Sequence, residues 1–118
     1  MTDLVAVVSA GVGTAKHVER VACEMNWGKV LIIMPTSSEA PFPLRANMEI
    51  VKADFSQPMG SVVENLVTRL KPKISGTEVG LNMISGDGKE HMAVLSAVLK
   101  CGVGFRLIAL TKDGVTEI

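Results

Sequence analysis

The sequence has no excess of charge of either sign, because its 118 residues include twelve basic and twelve acidic side chains. A chain without a net field does not gather DNA or RNA nonspecifically, so a nucleotide ligand would need a local site. No segment reaches the about 20 consecutive apolar residues of a membrane span, and the N-terminus lacks the basic region of a signal peptide. We therefore predict a soluble protein without a membrane partner.

Cysteine is scarce as well. Cys23 and Cys101 lack the close spacing of a metal site, and each lies in a predicted helix, where cysteine usually behaves as a small buried hydrophobe. This usage predicts a reducing, cytoplasmic location. No converging set of carboxylates and histidines is recognisable in the sequence, so it predicts no metal site and no cofactor.

Two standard nucleotide motifs are missing. A phosphate-binding P-loop requires serine or threonine after its lysine, whereas Lys89 is followed by Glu90. The dinucleotide fingerprint requires a third glycine and an acid after the second strand. Here Lys16 occupies the glycine position, and P-T-S-S ends the second strand. The sequence therefore argues against binding of NAD or FAD.

What the sequence does contain is a regular alternation of buried strands and amphipathic helices in a chain that is 47% hydrophobic. The predicted parallel strands are residues 4–8, 30–34, 48–51, 79–84 and 105–110. Right-handed crossovers restrict how such strands are wound. The pattern predicts one domain over residues 1–118, an α/β fold described as a Rossmann-like three-layer α/β/α sandwich. Its mainly parallel sheet has the order 3-2-1-4-5, with a C-terminal antiparallel hairpin strand.

Each helix is predicted from its apolar spacing. In the first, Thr14 is the expected cap and His17 a polar residue on the exposed face. In the helix that begins after Lys89, the residues expected on the buried side are Met92, Leu95, Val98 and Leu99. Three prolines between residues 35 and 43 predict a loop or a single short turn where a βαβ unit would carry a helix.

Two glycine-bearing loops, S-A-G-V-G-T at residues 9–14 and I-S-G-D-G-K-E-H-M at residues 84–92, follow the first and fourth strands. In the predicted order these strands flank the switch point, where open α/β sheets bind ligands. Glycines followed by a helix start permit close approach of an anion to free backbone N–H groups. The sequence thus predicts an anion or nucleotide site, although the same residues would also serve as an ordinary βα turn in which Ser85 or Asp87 caps the helix.

These residues resemble the CRISPR-associated Rossmann-fold (CARF) domain family. The resemblance extends over the first strand and its loop, the P-T-S-S segment, D-F-S-Q-P, I-S-G-D-G-K-E-H-M-A-V and the finish F-R-L-I-A-L-T-K-D-G-V. Ser85, Gly86 and Lys89 match the family spacing in the loop after the fourth strand, and Asp87 stands where a second glycine is usual.

The resemblance implies a homodimer that senses cyclic oligoadenylate, a second messenger of type III CRISPR defence, in a pocket shared by the two copies. Such domains are usually fused to an effector, either a nuclease or a DNA-binding winged helix. The residues implied as ligand-binding are Ser9, Ala10, Gly11, Gly13, Thr14, Thr36, Ser85, Gly86, Asp87, Gly88 and Lys89. The chain ends inside a predicted strand. Such an end is expected for a domain taken from a longer polypeptide, and it is equally compatible with a terminal edge strand.

Two other functions remain open at this stage. One is a stand-alone ring nuclease, for which the resemblance implies slow, metal-independent cleavage by a ribose 2′-hydroxyl while Ser9, Lys89 and His91 hold the ring. The other is the dimerisation and ligand-sensing domain of a transcription regulator. The sequence therefore does not decide whether the protein is an enzyme.

Overall fold

The computed structural model describes residues 2–9 and 13–118. These residues form six strands and three helices. In chain order they are β1 (Asp3–Val7), α1 (Thr14–Glu24), β2 (Val30–Pro35), β3 (Met48–Ala53), α2 (Met59–Leu70), β4 (Glu78–Asn82), α3 (Gly88–Lys100), β5 (Gly104–Thr111) and β6 (Gly114–Glu117).

All six strands form one sheet in the order β3-β2-β1-β4-β5-β6. The first five are parallel to their neighbours, and β6 pairs antiparallel with β5 through a tight turn. The predicted α/β class, strand order and C-terminal hairpin are confirmed. Since β1 pairs with β2 on one side and with β4 on the other, the switch point lies between β1 and β4.

The sheet is covered by helices on both faces. Successive side chains of a strand point to opposite faces, so β1 contributes Leu4 and Ala6 to one hydrophobic cluster and Val5 and Val7 to the other. The first cluster includes the buried residues of α1, and the second includes the buried apolar residues of α2 and α3. Burial on both faces explains why β1 and β2 are continuous apolar runs instead of alternating ones.

Residues 36–47 contain no helix, as the prolines predicted. The loop instead buries Phe42 in the same cluster as α1, so one aromatic side chain covers part of the sheet there. This loop leaves the carboxyl ends of β2 and β3 uncovered by a helix on that face.

The predicted extent of β4 was wrong at its end. The strand stops at Asn82 rather than at residue 84, because the Asn82 side chain accepts a hydrogen bond from Ile84 N (3.3 Å) and the chain then turns through Gly86 at a φ of +107°. Ile84 therefore lies in the β4–α3 loop, where it is 51% exposed.

The predicted buried face of α3 was wrong for two of its four residues. Met92 and Leu99 are 64% and 56% exposed, whereas the buried apolar residues are Ala93, Val94, Ala97 and Val98. Both sets satisfy helical spacing, so the periodicity alone could not select between them. Small side chains at Ala93 and Ala97 let α3 approach the sheet and α2 closely, and this leaves the bulkier residues on the outer face.

Candidate functional site

The two glycine-bearing loops meet at the carboxyl ends of β1 and β4. Ser9 N donates a hydrogen bond to Ser85 Oγ (2.9 Å), and Thr14 Oγ1 donates to the same oxygen (3.1 Å). The side-by-side placement that the strand order predicted is therefore present. Ala10 and Gly11, also predicted as ligand-binding, lie outside the described residues.

Ser85 connects these two loops through hydrogen bonds that lie beneath the protein surface. Its side chain is fully buried, and its hydroxyl also lies 3.4 Å from the Ser9 carbonyl oxygen, to which it donates. A buried hydroxyl with several protein partners fixes the relative position of the two loops. The direct ligand contact predicted for Ser85 stays a prediction.

Glu90 is the residue at the centre of the site that the sequence analysis missed. The residue is only 4% exposed. One oxygen accepts a hydrogen bond from Asp87 N (2.9 Å) and the other from Ser9 Oγ (3.0 Å). Asp87 Oδ1 in turn accepts from Glu90 N (2.9 Å), which completes a capping box at the start of α3. The acidic residue three positions after Asp87 is the sequence signal that could have revealed it.

This capping box changes where an anion can bind. The Asp87 and Glu90 carboxylates accept from two backbone N–H groups at the start of α3, so a phosphate there would meet like charge. The amino end of α1 differs, because its N-cap is Gly13, at a φ of +82°, with no side-chain cap bond and no acid in the first turn. Thr14, predicted as that cap, is instead the first helical residue, and its hydroxyl faces Ser85.

Glycine is required at position 86 but not at position 88. A Cβ atom on Gly86 would lie 2.8 Å from Glu90 Oε1 and 3.2 Å from His91 Nε2, at a backbone φ of +107° that L-residues rarely adopt. A Cβ on Gly88 would meet nothing within 4 Å. The close approach at Gly86 thus serves the internal packing of the loop.

Lys89 and His91, the other predicted site residues near α3, lie apart from the cluster of Ser9, Ser85 and Glu90 or beneath it. Lys89 is exposed, and its Nζ donates to the Gln57 carbonyl oxygen (2.8 Å) in the β3–α2 loop. His91 is half-buried, and its Nε2 lies 2.8 Å from the Ser85 carbonyl oxygen. Since a carbonyl only accepts, this nitrogen carries the proton. His91 is thereby held against the loop backbone.

Thr36 lines a cleft of about 400 Å³ at the carboxyl ends of β2 and β3, which we call the β3–α2 cleft. It is lined by Thr36, Lys52, Ala53, Asp54, Gln57, Ser61, Val62, Asn65 and Arg69. The Lys89 contact with Gln57 connects its rim to the start of α3. The spacing of Ser61, Asn65 and Arg69 at every fourth residue of α2 is the sequence signal that could have indicated this surface.

Asp54 supplies the acidic side chain of the cleft. Ser56 donates its hydroxyl to Asp54 Oδ1 (2.6 Å) and Gln57 donates its amide to Oδ2 (3.1 Å). These bonds, first that of the Ser56 hydroxyl, lower the pKa of Asp54 below its usual value, and the Ser56 backbone N–H and the Lys89 charge act in the same direction. The carboxylate is therefore ionised at neutral pH.

His17 is not the solvent-facing residue that the sequence suggested. It is half-buried, and its Nε2 lies 3.1 Å from Asn82 Nδ2 and accepts from Leu110 N (3.3 Å). The Asn82 amide is oriented by its bonds to the Ile108 carbonyl oxygen (2.7 Å) and Ile84 N. Its Nδ2 is thus a donor. Nε2 of His17 therefore carries no proton, since it accepts from both Asn82 Nδ2 and Leu110 N. Burial lowers the pKa of His17.

We expect the stability of the protein to decrease as the pH falls below about 6.5, the ordinary pKa of histidine. The folded state favours neutral His17, so the unfolded chain binds the proton more readily and protonation draws the equilibrium toward unfolding. Urea denaturation between pH 7.5 and 5 measures this loss. The His17→Gln variant, which retains His91, should show a smaller pH dependence in that range, and an unchanged dependence would contradict the assignment.

Within residues 2–9 and 13–118, no group of three or more histidine, cysteine, aspartate or glutamate side chains is placed to hold a metal ion. None of the three helices described above is long and apolar enough to cross a bilayer. Comparison of the chain with models of protein families, with curated proteins and with solved structures found no match.

Proposed function

We propose that the protein is a nucleotide-sensing domain that binds cyclic oligoadenylate of type III CRISPR defence, with the ring at the carboxyl ends of β1 and β4. The observation that carries the proposal is the hydrogen bonding of Ser9 and Thr14 to Ser85, which joins both loops at the switch point. Helices on both faces of the sheet support its description as a Rossmann-like sandwich. An effector, a nuclease or a winged helix, would convert binding into a response.

The charges at this edge favour particular positions for phosphate. The start of α3 is neutralised by Asp87 and Glu90, so the ring phosphates would lie over the start of α1 and toward Lys89. Backbone N–H groups and one lysine can supply the donors that a phosphodiester requires. The bound ring would therefore be displaced from α3 toward α1 compared with the position that the glycine pattern suggested.

Thermal unfolding in the presence of cyclic tetraadenylate and cyclic hexaadenylate tests the proposal. A ring present at about 100 times its dissociation constant should add about 2.7 kcal/mol of stability. Linear tetraadenylate is the matched control, because it carries the same bases and phosphates without ring closure. Analysis of the nucleotides after incubation in excess chelator shows whether the ring is also cleaved. Absence of stabilisation by any cyclic ligand would refute the proposal.

Replacement of Lys89 by alanine should weaken ring binding about tenfold, because a charge-assisted phosphate contact contributes on the order of one factor of ten in affinity. Lys71→Ala is the matched control. Lys71 is also exposed, but it follows the carboxyl end of α2, at the opposite edge of the sheet. Isothermal titration measures both affinities, and equal losses would mean that phosphate does not approach Lys89.

A second copy of the chain is the partner that we propose for α3. Its outer face carries the exposed side chains of Met92 and Leu99, and the half-buried Leu95 lies between them. A two-fold axis beside this face would bring the loops of both copies together, as a shared ring pocket requires. An isologous contact of this kind uses the same patch twice.

We expect the double variant Met92→Glu/Leu99→Glu to be monomeric at concentrations where the unmodified protein is a dimer, because each copy would bury two unpaired carboxylates. Sedimentation equilibrium distinguishes the two states. Leu44→Glu, which alters a 43% exposed leucine in the proline-rich loop, should leave the dimer intact. A monomeric unmodified protein, or a double variant that still dimerises, would exclude α3 as the interface.

A further inference from the structure

A second cavity, which we call the Trp27 pocket, lies at the amino ends of β4 and β5, at the edge of the sheet opposite to the loops of Ser9 and Ser85. Its walls include Trp27, Gly80 and Ile108. Since Trp27 and Ile108 belong to the hydrophobic cluster of α1, the pocket lies on the α1 face of the sheet. Its volume is about 230 Å³, below the about 300–1,000 Å³ of sites that enclose drug-sized molecules. The pocket therefore fits a single ring or a short branched chain.

The inner part of the Trp27 pocket is apolar. Trp27 and Ile108 are each 6% exposed, and Gly80 contributes no side chain, so the indole lies directly over β4. Met25, which is 37% exposed, extends the apolar wall toward the protein surface. A ligand would gain by placing an apolar group here, because apolar surface leaves water on binding.

Charged side chains of three adjacent strands form the rim of the pocket. Arg106 of β5 donates from Nε to Glu78 Oε1 of β4 (2.9 Å) and from Nη1 to Glu117 Oε1 of β6 (3.1 Å). The strand register places all three on the α1 face, because Arg106 pairs with Gly80 and Glu117 pairs with Ile108. Two carboxylates on one guanidinium leave the rim with a net negative charge. Glu78 Oε2 accepts no hydrogen bond from the part of the chain that the structure describes, so it can accept one from a ligand.

The carboxyl end of α1 adds to this negative potential. Met25 is the C-cap of α1 and also lines the pocket. The aligned peptide dipoles of a helix place partial negative charge at its carboxyl end. Within the described residues, the last turn of α1 contains no basic side chain that would neutralise this charge. The rim and the helix end therefore both favour a cation over an anion.

We propose that the Trp27 pocket binds a small organic cation, a primary amine that carries one apolar ring or short branched chain. The apolar part packs against Trp27 and Ile108, and the ammonium group donates to Glu78 Oε2. An uncharged apolar molecule would leave this oxygen without a partner, whereas a carboxylate would approach two side chains of like charge. Binding here does not depend on cyclic oligoadenylate, because the pocket and the ring site lie at opposite edges of the sheet.

Amide and indole chemical shifts of ¹⁵N-labelled protein, titrated with 2-phenylethylamine at neutral pH, test the assignment. The indole N–H of Trp27 and the amides of Gly80 and Ile108 should shift. The matched control is 3-phenylpropionate, which has a carboxylate in place of the ammonium group and should bind several-fold more weakly. Ethylamine, which lacks the ring, should also bind more weakly. Absence of shifts at these three residues, or equal binding of the carboxylate, would overturn the proposal.

Replacement of Glu78 by glutamine tests the contact with the ammonium group. Glu78→Gln should weaken binding of 2-phenylethylamine about fivefold, the size expected for a charge contact at an exposed rim. It should bind 3-phenylpropionate no more weakly than the unmodified protein does. Glu64→Gln, which alters an exposed acid of α2 on the other face of the sheet, should leave both affinities unchanged. Circular dichroism establishes that each variant is folded, and equal amine affinities of the two variants would overturn the role of Glu78.

Discussion

Replacing Gly80 by alanine is expected to lower the free energy of unfolding by about 3 kcal/mol, the upper part of the range for overpacking a core. Gly80 is a β4 residue that pairs with Leu4. An added Cβ would lie 2.5 Å from Trp27 Cη2, 2.7 Å from Trp27 Cζ3 and 3.1 Å from Ile108 Cγ1. The indole is buried, and its Nε1 donates to the Val21 carbonyl oxygen (2.9 Å), so it cannot turn aside without losing that bond.

Urea denaturation followed by Trp27 fluorescence measures this loss directly, because Trp27 is the only tryptophan in the chain. Gly60→Ala is the matched control. A Cβ at Gly60, in the first turn of α2, meets nothing within 4 Å, and alanine there should raise stability by about 0.5 kcal/mol. A Gly80→Ala variant as stable as the unmodified protein would show that the indole is not fixed over β4.

Replacing Glu90 by alanine is expected to cost about 3 kcal/mol. The substitution leaves the part-buried Asp87 N and Ser9 hydroxyl without their acceptor, and it removes a side chain that is only 4% exposed, so each lost bond costs about 1–2 kcal/mol. It also removes half of the capping box of α3. Glu90→Gln should cost less, because its amide oxygen can still accept one of the two bonds.

Glu64→Ala provides the comparison for Glu90. Glu64 is an exposed residue of α2, and its substitution should change stability by no more than about 0.5 kcal/mol. Chemical denaturation of all three variants gives the ranking. If Glu90→Ala were as stable as Glu64→Ala, the carboxylate would not hold the β1–α1 and β4–α3 loops together.

The sequence by itself determined the architecture. Continuous apolar runs predicted strands buried on both faces, and three prolines predicted the loop at residues 36–47. The Asp113-Gly114 pair between β-forming residues is a hairpin-turn signal that predicts the terminal hairpin. These features are local and periodic, and the handedness of βαβ crossovers then leaves few strand orders. The same reasoning placed the loops that contain Ser9 and Ser85 side by side.

Only the tertiary structure decided which side chains are partners within that architecture. Ser9 bonds to Glu90 across 81 positions, and His17 accepts from Leu110 across 93. Buried Asp3, which in the sequence was only an acid near the N-terminus, accepts from Lys29 N and Ser75 N and so ties two loops to β1. No spacing rule encodes such bonds, because they depend on where separate elements pack.

Tertiary packing also determined which residues form the outer face of α3 and the β3–α2 cleft. Two helical stripes were compatible with the apolar residues of α3, and contact with α2 and the sheet selected the one with Ala93 and Ala97. The cleft exists because α2 turns Ser61, Asn65 and Arg69 toward the ends of strands that come earlier in the chain. Periodicity predicts that a helix has a buried face, but the neighbours against which it packs determine which residues form that face.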